Sequence, residues 1–265
     1  MDLGQPIVDT NKDVVDPDVV NSDVVNLDSE KSIVEILAQL KEEPIVQSMY
    51  LNYPFYLSLL VCVLLIAHYS KSSFFWAIVT IIFISAAGYF SHYISHHINA
   101  GELFQKYEHL VPDIPYLSTF IRYFCKLIDF HDEIHHDTSI NKEFPNVAIE
   151  FALNFYVQAG AFLIVFYIIQ QMNLYVIALW GFMYATIHNI NYVLYPSNTH
   201  ILHHVNKTTN YGIDIWDILF NTKFDGDMSI DKLENINHYA INTIIITAIM
   251  LVVMKIKVYV NIGFN

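Results

Sequence analysis

Apolar residues gather in long runs along most of this chain, and polar residues gather at the ends of those runs. Four runs cover residues 51–69, 74–91, 147–169 and 174–195. Each is close to the roughly 20 residues that an α-helix needs to cross the hydrocarbon core of a bilayer. A fifth run, 239–254, is shorter and either spans or lies against the others. The pattern predicts an all-α fold, an integral membrane helical bundle with four to five transmembrane helices.

The N-terminal segment differs from the rest of the chain in pattern and in charge. Residues 1–45 carry eleven acidic residues against three lysines, and the whole chain has a net charge of −13. Asp-Val-Val occurs three times here at five-residue steps, with too little clustered apolar surface to offset the entropy of ordering. We predict a disordered acidic tail over 1–30 and a short amphipathic helix over 31–43, which lies on the membrane or docks a partner. Residues 46–265 then form the membrane-embedded domain.

The polar segment between the second and third runs contains one helical pattern of its own. Leu117, Phe120, Phe124 and Ile128 recur at helical spacing, with charged residues elsewhere. We predict an interfacial helix over 116–136.

Composition excludes some classes of protein. The chain is 54% hydrophobic with a mean hydropathy of +0.38, which is too apolar for an ordinary soluble domain. It has no basic patch, so we expect no nucleic-acid partner. The two cysteines, Cys62 and Cys125, do not suggest a disulfide framework. The acidic N-terminus lacks the pattern of a cleaved signal peptide, so we expect the first apolar helix to act as an uncleaved anchor.

Histidines supply the candidate chemistry. Nine of the thirteen lie in three clusters, HxxxHH at 92–97, HxxxHH at 131–136 and HxxHH at 200–204. Positions i, i+3 and i+4 share one face of a helix, and neutral imidazole nitrogens bind transition metals. Surface histidines have no reason to recur three times at helical spacing, so the clusters predict a metal site.

Topology puts the three clusters on one side of the membrane. With the N-terminus in the cytosol, paired spans return the chain to that side before each cluster. The loops there, 98–146 and 196–238, carry seven Lys or Arg, which agrees with the positive-inside rule.

Two polar residues lie toward the open end of the hairpin formed by the third and fourth runs. Glu150 and His188 are costly there unless they face protein or water, so each is a candidate site residue. For Glu150 we favour an interfacial carboxylate that points at water.

The spacing of the clusters and the residues near the third one resemble the fatty acid hydroxylase/sterol desaturase superfamily. NYGIDIWDILFNTKF, residues 210–224, resembles the family's ending after its HxxHH. YATIHNINYVLYP, residues 184–196, resembles the segment that places a further histidine before the third cluster. The similarity covers about residues 74–225.

The resemblance implies a membrane-bound, O₂-dependent lipid oxidase, a hydroxylase or a desaturase, with two iron ions and with zinc as a substitute. O₂ is the co-substrate, and the target is an unactivated C–H bond of a fatty acyl, sterol or related lipid. Electrons come from a separate donor such as cytochrome b5 or a reductase, and the clusters face the cytosol at the endoplasmic reticulum. The implied metal ligands are His92, His96, His131, His135, His136, His188, His200, His203 and His204.

Ligating imidazoles need an acceptor for their other ring nitrogen. Nearby carboxylates are candidates for that role, although solvated surface groups are the commoner case for any one of them: Asp132, Glu133, Asp137, Asp214 and Asp217.

The chain departs from the family pattern in places. About 35 residues separate the first two clusters, the second reads HxxxHH, and Tyr192 stands where some members have a second histidine. His97 can substitute or assist in the first cluster, and His109 is an alternative ligand. Two other functions stay open: a catalytically inactive membrane scaffold that keeps the fold, and a metal-ion transporter.

Overall fold

The secondary structure is helical throughout the part of the chain that the computed structural model describes, which confirms the all-α class. The description covers residues 43–136, 143–163, 171–194, 198–224 and 236–263. The tail and the amphipathic helix predicted before residue 43 lie outside it.

The elements follow one another with short connections. They are α1 (Pro44–Leu51), α2 (Tyr53–Tyr69), α3 (Phe74–His97), α4 (Ala100–Tyr107), a 3-10 turn (Glu108–Leu110), α5 (Leu117–Phe130), a first π turn (His131–His135), α6 (Phe144–Phe155), a second π turn (Tyr156–Gly160), α7 (Leu174–Val193), α8 (Asn198–Val205), α9 (Asp214–Leu219) and α10 (Ile236–Gly263).

Two of these helices are long and apolar enough to cross a membrane. They are α3, with 24 residues, and α10, in which the segment His238–Ile256 is long and apolar enough. A third candidate is the pair of α1 and α2, which are bent by 78° where they meet, as a broken span or a re-entrant loop. Pro54 in the first turn of α2 is one cause of that break, because it has no N–H to continue the preceding helix. The run 239–254, which looked marginal, is therefore part of a helix of sufficient length.

The apolar core lies between α2, α3, α7 and α10. Val63, Ile84 and Ile177 are fully buried there. The outer face of α10 remains apolar and exposed, for example at Ile245 and Ile249. A helix that is apolar on its buried and exposed faces alike is typical of a membrane protein.

The second π turn packs tightly against two neighbouring helices at glycines. A Cβ on Gly181 of α7 would overlap the Cβ of Ala159 and meet the Phe155 ring at 3.0 Å. A Cβ on Gly88 of α3 would overlap the amide of Gln158. Glycine is required at Gly181 because the Cβ of Ala159 cannot move aside, whereas at Gly88 the end of the Gln158 side chain would have to shift.

We expect Gly181→Ala to lower the free energy of unfolding by about 1–3 kcal/mol, because the added methyl group overpacks the α7 contact. Thermal unfolding in mild detergent measures this as a lower midpoint. Ala159→Gly in the same chain should restore part of the loss by reopening the space. Gly160→Ala is the matched control, since its nearest neighbour is the movable ring of Tyr156. An unchanged midpoint for Gly181→Ala would contradict the packing described.

Candidate metal centre

The structure brings all nine predicted ligands into one cluster at the ends of the helices. His92 and His96 lie one turn apart at the end of α3, and the second histidine cluster forms the first π turn and the residue after it. His188 lies near the end of α7, and α8 carries the third cluster. Overlapping groups of these side chains place their ligand atoms within 4.8 Å of one another.

One half of the cluster consists of four imidazoles, His92, His96, His131 and His203, which we call subsite A. Nδ1 of His92 lies 2.6 Å from the carbonyl oxygen of Tyr211, and Nδ1 of His203 lies 2.6 Å from that of Thr209. A carbonyl oxygen only accepts hydrogen bonds, so both Nδ1 atoms carry the proton and both Nε2 atoms keep a lone pair.

The other two imidazoles of subsite A have the same arrangement with carboxylates. Nδ1 of His96 lies 3.2 Å from Asp132 Oδ1, and Nδ1 of His131 lies 3.3 Å from Glu150 Oε1. Their Nε2 atoms lie 3.1 Å and 3.0 Å from Nε2 of His92. With every Nδ1 directed at an acceptor, the Nε2 lone pairs face one another.

The spacing of these nitrogens matches a metal site. Two imidazole nitrogens at about 2.1 Å from a metal, on neighbouring octahedral positions, lie about 3.0 Å apart. Nε2 of His203 is buried with no hydrogen-bond partner among the described residues. Burial lowers the pKa of His203 to about 3, so its ring is neutral at pH 7. The residues of subsite A therefore fit a transition metal.

The other half of the cluster, subsite B, consists of His135, His200 and His204. Nε2 of His204 lies 3.0 Å from Nε2 of His135 and 3.1 Å from Nε2 of His200. Burial lowers the pKa of His135 and of His200 well below the ordinary value, so both rings are neutral. The spacing is the same as in subsite A and fits a second metal.

His136 lies between the two subsites. Its ring is 4.7 Å from that of His96 and 4.3 Å from that of His204, measured between ring centroids. Both of its ring nitrogens are buried and have no hydrogen-bond partner among the described residues. The position allows His136 to complete either subsite.

Glu150 joins the two subsites, and the prediction that it points at water is wrong. The side chain is 2% exposed. Its Oε1 lies 3.3 Å from Nδ1 of His131, 3.4 Å from Nδ1 of His135 and 3.3 Å from Nε2 of His188. Asn154, one turn along α6, donates to the same oxygen at 2.8 Å. One buried carboxylate thus accepts a hydrogen bond from His131 of subsite A and lies against His135 of subsite B.

The loop after α8 supplies the two carbonyl acceptors of subsite A. Between Thr209 and Tyr211 stands Asn210, with a left-handed φ of 58° that asparagine tolerates better than most residues. The side-chain N–H₂ group of Asn210 donates to the backbone carbonyl of Thr199, and its side-chain oxygen accepts from the backbone N–H of Phe224. This is a structural role for the Asn-Tyr-Gly sequence that the resemblance singled out.

Asp217 holds the same loop. It accepts hydrogen bonds from the backbone N–H groups of Tyr211 and Gly212 and from the hydroxyl of Thr222. Burial raises the pKa of Asp217 to about 7, although these three bonds favour the carboxylate form. Asp217 therefore acts on His92 through the Tyr211 carbonyl and not by direct contact.

The other predicted acceptors have different outcomes. Asp132 contacts His96, and Lys207 donates to the same oxygen at 2.8 Å. Asp214 instead accepts from Ser48 and Asn52 and pairs with Lys223, so it connects α1 with α9. The Glu133 side chain and Asp137 lie outside the described residues.

The two further histidine candidates lie outside the cluster. His97 is exposed, and its ring stacks on Tyr93 at 4.0 Å. His109 is exposed on the 3-10 turn. Tyr192 packs its ring 4.3 Å from that of His135.

The long gap between the first two clusters is closed by Asp129. Its two carboxylate oxygens accept from the backbone N–H groups of Ala100 and Gly101, each at 2.7 Å. These are unpaired donors at the positive end of α4, where a carboxylate is favoured. The contact joins the start of α4 to the end of α5. It therefore brings His131, which follows α5, close to His96, which lies just before α4.

The chain matches no protein-family model, no curated protein and no solved structure.

We expect Asp129→Asn to loosen the closure between α4 and α5, because an amide offers only one acceptor oxygen to the two N–H groups. A lost hydrogen bond to a charged group costs about 1.5–3 kcal/mol. Hydrogen–deuterium exchange should show faster exchange of the Gly101 amide and of the α5 end. Asp113→Asn, at an exposed position of the intervening loop, is the control. Equal protection in both variants would rule out the closing role of Asp129.

Proposed function

We propose that this protein is a membrane-bound, O₂-dependent lipid oxidase, a hydroxylase or a desaturase, whose subsites A and B hold two iron ions. The observation that carries the proposal is the convergence of imidazole nitrogens at about 3 Å in both subsites, with the other ring nitrogens of subsite A held by acceptors. Imidazole donors without thiolate favour iron, zinc or copper over magnesium or calcium. The resemblance to the fatty acid hydroxylase/sterol desaturase superfamily selects iron.

When bound, the two metals supply the oxidising power that cleavage of an unactivated C–H bond requires and that no side chain provides. The residues of the chain position the site. Glu150, Asp132 and the carbonyls of Thr209 and Tyr211 fix the imidazole tautomers.

Tyr184 of α7 places its hydroxyl beside subsite A. Its oxygen lies 3.2 Å from Nδ1 of His92, which already donates to Tyr211. The Tyr184 oxygen therefore accepts at His92, and its own hydrogen is available to a group beside it. Trp180 and Tyr211, which are both buried, line the same cavity as Tyr184.

We place four or five spans in the membrane, with the metal centre at their cytosolic ends and the protein in the endoplasmic reticulum. Support comes from the apolar helices, from the location of all three histidine clusters at helix ends, and from the lysines and arginines of the adjoining loops. The electron donor is a separate protein, such as cytochrome b5 or a reductase.

Metal content tests the proposal. We expect about two metal ions per chain after anaerobic iron loading in mild detergent, and about one in His96→Ala or in His200→Ala, since each variant removes a ligand of one subsite. His97→Ala is the matched control and should keep the full content. The measurement is elemental analysis of purified protein against protein concentration.

Turnover separates an oxidase from the rivals. Iron-loaded protein in vesicles, given O₂ and a reductant, should convert a fatty acyl or sterol lipid to a hydroxylated or desaturated product. If the folded protein binds no metal, a membrane scaffold would be the remaining function. Metal-loaded protein that moves metal ions across the vesicle without oxidising lipid would instead be a transporter.

Glu150→Gln should weaken metal binding at both subsites, by about 10- to 100-fold. The glutamine side chain has an N–H₂ group in place of one carboxylate oxygen, and this group cannot accept a hydrogen bond from the ring N–H of His131 or His135. Competition with a coloured chelator measures the affinities. Glu143→Gln makes the same change at an exposed position before α6 and should bind metal normally. Loss at one subsite alone would contradict a shared role for Glu150.

A further inference from the structure

Two cavities adjoin His92 on different sides. The smaller, of about 110 Å³, is walled by Trp180, Met183, Tyr211 and Tyr239 among others. The larger, of about 310 Å³, lies between α3 and α4 on one side and α6 on the other, and we call it the slot. Its apolar wall includes Ile94, Leu103, Ile128, Leu153 and Val157, and it reaches His92, His131 and Glu150.

The walls of the two cavities differ in how exposed their apolar residues are. The residues that line the smaller cavity are buried or partly buried, and none of them is exposed. In the slot, Ile94, Leu103 and Ile128 are 48%, 51% and 40% exposed. The slot therefore opens sideways through apolar side chains.

The mouth of the slot continues an apolar stripe along α3. Phe83, Phe90 and Ile94 are exposed, and their spacings place Phe90 and Ile94 each within about 20° of Phe83 on one helix face. Because α3 is long and apolar enough to span, this stripe faces lipid. A hydrocarbon chain that lies along it reaches Ile94 without crossing water.

The other end of the slot is closed by a polar contact between helices. Gln158 donates to the carbonyl of Gly88 at 3.1 Å and accepts from Trp180 Nε1 at 3.2 Å. A side chain at Gly88 would overlap Gln158, so α3 and the second π turn touch there. The slot is therefore closed at this end and exposed at Ile94, an outline that favours one narrow chain over a fused ring system.

We propose that the slot binds a single unbranched hydrocarbon chain of a membrane lipid, which enters sideways from the bilayer past Ile94 and brings one of its carbons next to His131. The oxidation of that carbon rests on the proposed function, but the binding of the chain does not.

Photolabelling tests the binding without metal or turnover. The full chain in phosphatidylcholine vesicles is irradiated with hexadecanoic acid that carries a diazirine near its methyl end, and labelled residues are mapped by mass spectrometry. We expect label on Leu153, Val157 or Ile94. Labelling of Met183 or Tyr239 in place of these residues would overturn the slot.

A pair of tryptophan variants on α6 gives the control. Leu153→Trp fills the slot and should reduce labelling of Val157 severalfold, whereas Ala152→Trp, on the exposed side of the same helix, should not. Thermal unfolding shows whether each variant folds, and the label map of the unaltered chain stands independently of both. Equal labelling in the two folded variants would overturn the assignment.

A sterol carrying a diazirine defines the class of ligand. It should not label Leu153 or Val157, and labelling there would overturn the single-chain assignment. If the acid labels the slot but iron-loaded protein forms no lipid product, the slot proposal stands and the oxidase proposal fails. If lipid product forms but the label is confined to the smaller cavity, the oxidase proposal stands and the slot proposal fails.

Discussion

Lone pairs of buried imidazole nitrogens face one another in this protein, and most of the surrounding structure maintains that unfavourable arrangement. Nε2 of His92 lies 3.0 Å from Nε2 of His131 and 3.1 Å from Nε2 of His96. Protonation is the usual relief for such a contact, but burial and neighbouring imidazoles oppose it, as the lowered pKa of His203 shows. A cation between the nitrogens relieves the repulsion for all of them at once, which is why a metal centre accounts for the geometry better than a hydrogen-bonded core.

The helices and eight of the nine histidines could be predicted from the sequence because both depend on local patterns, whereas His188 stands outside the three clusters. Long apolar runs predict helices, and histidines at i, i+3 and i+4 predict one shared face. His92 and His96 follow the second run without a helix-breaking residue, so α3 continues through them to His97. The number of spans is less predictable. The helices α1 and α2 are bent by 78° where they meet, and such a pair is either a broken span or a re-entrant loop.

Of the residues that orient the histidines, Asp132 could be predicted because it follows His131 directly. The roles of Glu150 and Asp129 could not, since they depend on contacts distant in sequence. Glu150 lies 19 residues from His131, and nothing near it indicates that three imidazoles surround it. In the sequence, Asp129 has the pattern of a surface charge. Only the fold places it at the free N–H groups of α4. The extra residue in HxxxHH coincides with a π turn, whose wider hydrogen-bonded ring lets His131 and His135 stack at 4.8 Å. That turn depends on packing and leaves no pattern of its own.

The single carboxylate between the subsites has a thermodynamic consequence. Glu150 Oε1 contacts an imidazole from each half, and its other oxygen is buried without a partner. A cation in one half would draw on the carboxylate and leave less of its charge for the other half, so the free energies of filling the two halves would be linked and reciprocal, the first ion weakening the second. An alteration at Glu150 in α6 would then change both halves together.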